Sequence, residues 1–181
     1  MLKNKTIVLG ITGGIAAYKA ADIASKLTQA GASVDTVMTE SATRFITPLT
    51  LRNLTGRPVV TDMYELAPEY GEEHIALAEA ADAVVIAPTT ANTIARLAAG
   101  IADNMLGCVV LATEAPVIIA PAMNDVMYKN SITQENLSKL KARGFTIIEP
   151  EYGRLASGKM GQGRLPETAT IIEVIEKALS D

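Results

Sequence analysis

The chain has no tryptophan, one cysteine, one histidine and only 4% aromatic residues in 181 positions. A single thiol, Cys108, rules out an internal disulfide, and a reducing cytoplasm is the compartment expected for such a chain. One histidine and no cysteine–acid grouping leave no set with metal-ligand spacing, so a zinc or iron site is not expected. Sixteen basic residues against twenty acidic ones give a net charge of −4. No Lys/Arg stripe runs along the chain, and a nucleic-acid partner, which needs a basic face, is not expected. No apolar run reaches the roughly 18 residues of a membrane span. The first residues lead straight into a strand with no leader pattern, so no membrane partner is expected. Gly-x-Ser-x-Gly is absent, as is a phosphate-loop lysine.

What is present is apolar patterning. Hydrophobic residues make up 49% of the chain. Short β-branched runs at 6–11, 33–38, 83–87, 116–120 and 146–148 read as strands buried on both faces, with 59–60 as a brief edge strand. Helical periodicity falls at 16–29, 47–54, 75–81, 91–99, 104–112, 131–143 and 168–179, and a further short helix opens after Thr39. Strands alternating with helices through short connections predict an α/β fold: one Rossmann-like, doubly wound parallel sheet in three layers, in a single domain over 1–181. The polar connection 64–73 is the candidate lid. Residues 151–166 carry four glycines without periodicity and read as a long functional loop.

Gly10-Ile11-Thr12-Gly13-Gly14-Ile15-Ala16-Ala17 is a strand–turn–helix suited to a phosphate, with backbone N–H groups at a helix start. The glycine spacing is not that of a dinucleotide site, which favours a mononucleotide. The plainer alternative is a tight turn that needs small residues. Thr39 and Ser41 are either hydroxyls for the same phosphate or a cap for the next helix. Thr90, Ala91, Asn92 and Thr93 either read a ring edge or cap a helix, and Asp103-Asn104 presents the same choice. Pro121-Ala122-Met123-Asn124-Asp125-Val126-Met127 follows a buried strand and reads as a loop sequestering one amide. His74, beside another strand end, is a catalyst or an ordinary surface residue.

Five of these segments in this order resemble the phosphopantothenoylcysteine decarboxylases, within the flavin-containing cysteine decarboxylases. They are Gly13–Ala17, His74-Ile75, 87–93, 100–104 and 121–127. The resemblance runs from Lys5 to about Leu179. It implies FMN, with Gly13, Gly14, Ile15 and Ala16 and either Thr39 or Ser41 at the phosphate. Phe45, Thr90, Ala91, Asn92 and Thr93 would meet the ring, and Ala122 would close the pocket. It implies homo-oligomers, trimers or dodecamers of trimers, with sites shared between chains. Members of the family are often fused to a C-terminal synthetase.

The chemistry so implied is oxidation of a substrate cysteine to a thioaldehyde, loss of CO2 and re-reduction of the enethiol to 4′-phosphopantetheine. By resemblance His74 handles the proton near the thiol, where an imidazole is suited to neutral pH. Asn124 would hydrogen-bond the substrate, Met123 and Met127 would wall it, and Asp103 and Asn104 would contact it. The loop 155–164 resembles the substrate clamp, but Ser157 stands where most members place a proton-donating cysteine. Three readings follow: Ser157 relays a proton, another group donates it, or the cycle halts at the enethiol as in peptidyl-cysteine decarboxylases. A non-catalytic flavin-binding subunit is the alternative of another class. A flavin prenyltransferase shares the fold but fits His74 and the 121–127 segment poorly.

Overall fold

A computed structural model describes residues 2–64 and 73–180. Six strands form one parallel sheet: β1 (Thr6–Ile11), β2 (Ser33–Met38), β3 (Val59–Val60), β4 (Ala83–Thr89), β5 (Val117–Pro121) and β6 (Thr146–Ile147). Their order is β3-β2-β1-β4-β5-β6. The chain winds outward from β1 in one direction, then restarts at β4 beside β1 and winds the other way. The loops after β1 and β4 therefore diverge, and the crevice between them is the expected ligand position in such a sheet.

Alternation along the strands covers both faces. Ile7, Leu9, Ile11, Val85 and Ala87 pack with Ala20, Ile23, Ala24 and Leu27 of α1 (Ala20–Gln29) and with Ile171 and Ile175 of the last helix (Thr168–Ala178). Those four α1 positions are spaced i, i+3, i+4, i+7, the stripe a surface helix buries. Helix α2 (Pro48–Thr55) adds Leu51 to this face and begins on a proline, where the missing N–H costs nothing. Val8, Val84, Ile86 and Ile119 face the opposite layer. That layer holds α3 (Glu73–Ala80), α4 (Ala91–Ala99), α5 (Met105–Ala112) and α7 (Ser131–Ala142). The predicted three-layer α/β fold is the one observed.

Several local expectations are corrected. The first five residues after the glycine turn, Ile15–Lys19, form a 3-10 helix before α1 begins. A single 3-10 turn, Ala42–Arg44, stands where a short helix was expected. Asp125–Lys129 forms a one-turn helix, α6, inside what read as loop. The stretch 151–166 is not a loop: β7 (Glu151–Arg154) and β8 (Met160–Arg164) pair antiparallel. Its glycines hid it. Gly158 takes φ +83 in the connecting turn, the left-handed region that a glycine enters without strain. Gly161 leaves space for Asp125, whose Cβ lies 2.8 Å from where a Cβ at 161 would sit. Of the proposed lid 64–73, residues 65–72 lie outside the described residues. No described helix is long and apolar enough to cross a membrane.

Candidate active site

The ends of β1, β2, β4 and β5 border one cleft of about 1200 Å3. Four helix starts converge there, and their ends differ. Thr90 Oγ1 accepts from the Thr93 N–H and closes α4. Asn104 Oδ1 accepts from the Gly107 N–H at 2.9 Å and closes α5. Asn124 Oδ1 accepts from the Val126 N–H at 2.9 Å and closes α6. The turn at Gly14 carries no side-chain cap. First-turn N–H groups without a partner are where an anion binds.

Gly13 owes its identity to packing. A Cβ there would overlap Ser41 Cβ and stand 2.7 Å from the Ser41 carbonyl carbon. The loops after β1 and β2 thus touch through Gly13 and Ser41. At Gly14 a Cβ would meet only Thr90 Cγ2, at 3.7 Å. Thr39 Oγ1 accepts from the Ala42 N–H at 3.3 Å, and Thr39 also borders the cleft.

Capping also fixes the two amides. Because Oδ1 of Asn104 and of Asn124 is engaged by backbone N–H, the donor end, Nδ2, is the end left for a ligand. The expectation of a sequestered Asn124 is corrected: its side chain is exposed at the cleft, because it heads α6. Asp103 pairs with Arg96, whose guanidinium holds the carboxyl below the usual range.

The hairpin forms the far wall. Met123 N–H donates to the Gly163 carbonyl at 3.0 Å and ties β8 to the segment carrying Asn124. Its turn, closed by Gly158 N–H to Leu155 O at 2.9 Å, sets Ser157 on the cleft.

Of the residues singled out from sequence, Gly13, Gly14, Ile15, Ala16, Thr39, Ser41, Thr90, Ala91, Asn92, Thr93, Asp103, Asn104, Ala122, Met123, Asn124, Met127 and Ser157 all border the cleft. Two do not. Phe45 is 49% exposed just after the 3-10 turn, away from the lining. His74 sits half-buried in the first turn of α3, which packs on α5, and does not border the cleft of its own chain.

One buried residue was missed. Thr12, 1% exposed, donates through Oγ1 to Pro88 O at 2.7 Å and accepts from Thr90 N–H at 3.0 Å. It clasps the two loops that diverge at the crevice. In sequence it reads as an ordinary turn threonine, since only the placement of β1 beside β4 reveals its partners.

The Flavoprotein family model matches residues 1–180. The chain belongs to the Flavoprotein family. It is 47% identical over 176 residues to the coenzyme A biosynthesis bifunctional protein CoaBC of Vibrio vulnificus, covering 97% of this chain and 44% of that one. The chain thus spans less than half the length of that relative. Among solved structures it is similar to a PPC decarboxylase with a cysteine-to-serine mutation, complexed with pantothenoylaminoethenethiol. The TM-score is 0.91 at 32% identity, over 99% of this chain and 100% of the other. It is also similar to the FMN-dependent cysteine decarboxylase SpaF, with a TM-score of 0.86 at 31% identity over 100% of both chains.

Proposed function

We propose that this chain, acting as one flavoprotein domain, is an FMN-dependent carboxy-lyase that converts 4′-phosphopantothenoylcysteine to 4′-phosphopantetheine in coenzyme A synthesis. The observation that carries the reading is a single cleft. It joins one uncapped glycine turn, two amides oriented by capping, and a hairpin bearing Ser157.

The residues suit FMN. The open first turn from Gly13 to Ala16, beside the Ser41 hydroxyl, fits a phosphate monoester. Thr90 to Thr93 and Ala122 offer small and polar edges to the ring, and no large side chain in these segments blocks it. When bound, FMN supplies the two-electron acceptor that lets a C-terminal cysteine lose its carboxylate. The chain does the rest. Nδ2 of Asn124 donates to the substrate and holds the cysteine end in place, already oriented by its cap. Met123 and Met127 give that end an apolar wall, which disfavours the charged carboxylate against neutral CO2. His74 takes the thiol proton at its imidazole. Since it lies outside the cleft of its own chain, a second copy brings it, and the functional unit is a homo-oligomer built from trimers.

The test is turnover by the flavin-loaded protein. The chain is expected to release CO2 from 4′-phosphopantothenoylcysteine, and His74→Asn to abolish release while flavin stays bound. Full turnover in that variant would remove His74 from the reaction.

Ser157 favours a second reading of the final step. Its hydroxyl is far less acidic than a thiol, so protonation of an enethiol by direct donation would be slow. On this reading the product is the enethiol, as in oxidative decarboxylation of peptidyl cysteine, and the relative held with pantothenoylaminoethenethiol carries a serine by mutation.

A further inference from the structure

The cleft runs against the charge of the protein. The chain as a whole is at −4, yet among the described residues four cationic side chains border the cleft against two carboxylates. The cations are Lys19, Arg96, Arg154 and Arg164, and the acids are Glu40 and Asp103. Arg96 is neutralised by Asp103, and Arg164 is engaged by Glu167. Lys19 and Arg154 have no carboxylate partner among the described residues. Lys19 ends the 3-10 helix that follows the glycine turn proposed for the flavin phosphate. Arg154 lies across the cleft, at the end of β7 and three residues before Ser157.

A second arginine of the hairpin, Arg164, packs against the residue before it. Gly153 has no side chain, and Arg164 fills the space: a Cβ at 153 would stand 3.3 Å from Arg164 Cδ and 3.6 Å from Nη1. Both Arg154 and Arg164 border the cleft from the hairpin, and Glu167 engages Arg164 alone.

The proposed substrate carries two anions, a carboxylate and a phosphate monoester. A guanidinium on the carboxylate would stabilise the ground state that must lose CO2, so it would slow the reaction. A guanidinium on the phosphate, which does not react, contributes binding without that cost. Its planar donor fork also matches phosphate oxygens.

We infer that Arg154 forms the subsite for the phosphate monoester of the substrate and sets the preference for a phosphorylated cysteine conjugate over a peptidyl cysteine. This rests on the decarboxylase reading above and assigns a residue to the recognition of its substrate. Arg154 is then a specificity residue of the same hairpin that carries Ser157.

The experiment compares 4′-phosphopantothenoylcysteine with its dephosphorylated form and with a short neutral peptide ending in cysteine. It uses the flavin-loaded native protein, Arg154→Met and Lys159→Met. Lys159 removes the same charge from the exposed hairpin turn without bordering the cleft. In Arg154→Met, KM for the phosphorylated substrate is expected to rise about tenfold, as loss of one charge-assisted contact implies. Its kcat, and its KM for the dephosphorylated form, stay level, and Lys159→Met keeps the native preference. An unchanged preference in Arg154→Met, an equal loss in Lys159→Met, or a native preference for the peptide overturns the subsite.

If the native protein turns over none of the three, the decarboxylase reading fails and the subsite is judged by binding. The flavin spectrum is then titrated with 4′-phosphopantetheine and with pantetheine. A phosphate-dependent gain in affinity that vanishes in Arg154→Met supports the subsite. No such gain, or one that survives, overturns it.

Discussion

Gly163 lies so close to Met123 that no side chain fits between them. A Cβ at 163 would overlap the Met123 carbonyl oxygen, while the Met123 N–H donates to the Gly163 carbonyl at 3.0 Å. The hairpin that carries Ser157 and the segment that carries Asn124 are therefore one unit, and each sets the position of the other.

Gly163→Ala is expected to separate them. Overpacking at a fixed backbone contact costs about 1–3 kcal/mol. CO2 release should fall more steeply than stability, because Asn124 and Ser157 lose their mutual placement. Urea unfolding and turnover on the same preparation check this. Native turnover in a folded Gly163→Ala protein would show that the contact does not position the site.

Much of this was legible in the sequence. The strands were, because each is a short β-branched run bounded by turn residues, and so was the parallel order they impose. The cleft-bordering residues were legible because strand ends of one sheet edge must meet. The hairpin was not. Its periodicity is erased at Gly153, Gly161 and Gly163, where contacts with Arg164, Asp125 and Met123 replace side-chain alternation. Phe45 and His74 fell outside the cleft for different reasons: Phe45 follows a 3-10 turn that ends short of the lining, and His74 heads a helix on the α5 layer. Neither displacement has a signal in residue type or spacing.

The two glycines of the phosphate turn should behave differently. Gly13→Ala drives a methyl into Ser41 and is expected to lower both stability and flavin content. Gly14→Ala meets no protein atom closer than 3.7 Å, so it should fold with native stability, and any flavin it loses reports on the cleft itself. Thermal unfolding and the absorbance of the purified variants check this. Equal losses of stability in both would contradict the packing account of Gly13.

Thr12→Val keeps the shape but leaves the Thr90 N–H without its acceptor. A half-buried donor stranded in this way costs up to about 1–3 kcal/mol. Flavin dissociation should quicken beyond what the stability loss alone produces, since Thr90 heads the segment proposed for the ring. Thr12→Ser, which retains the hydroxyl, should restore most of it. A Thr12→Ser protein as impaired as Thr12→Val would assign the effect to packing instead of the clasp.

Asp82 joins the starts of β1 and β4. Its carboxylate accepts from Lys5 Nζ and from the Thr6 N–H, both at 2.8 Å, and these bonds hold its pKa below the usual carboxylate value. A group with a depressed folded pKa stabilises the protein above its unfolded pKa, about 3.9 for Asp, and that contribution is lost as pH falls further. Asp82→Asn should therefore be less stable than the native chain at neutral pH, with the gap closing below about pH 4. Unfolding midpoints across that range check this, and a gap independent of pH would contradict it.

If the site is shared, His74→Asn and Asn124→Ala chains, each inactive alone, should recover activity when co-expressed. Mixed oligomers then contain sites with both native residues. Mixtures as inactive as the separate variants would place both residues in one chain's site.

The most direct test of the central claim is the product mass after the purified flavin-loaded protein is mixed with 4′-phosphopantothenoylcysteine. The account predicts a product lighter by CO2 alone, the mass of 4′-phosphopantetheine. Loss of CO2 together with two hydrogens would keep the decarboxylation and assign the halt to Ser157, to be tested by Ser157→Cys. A substrate recovered unchanged would contradict the account.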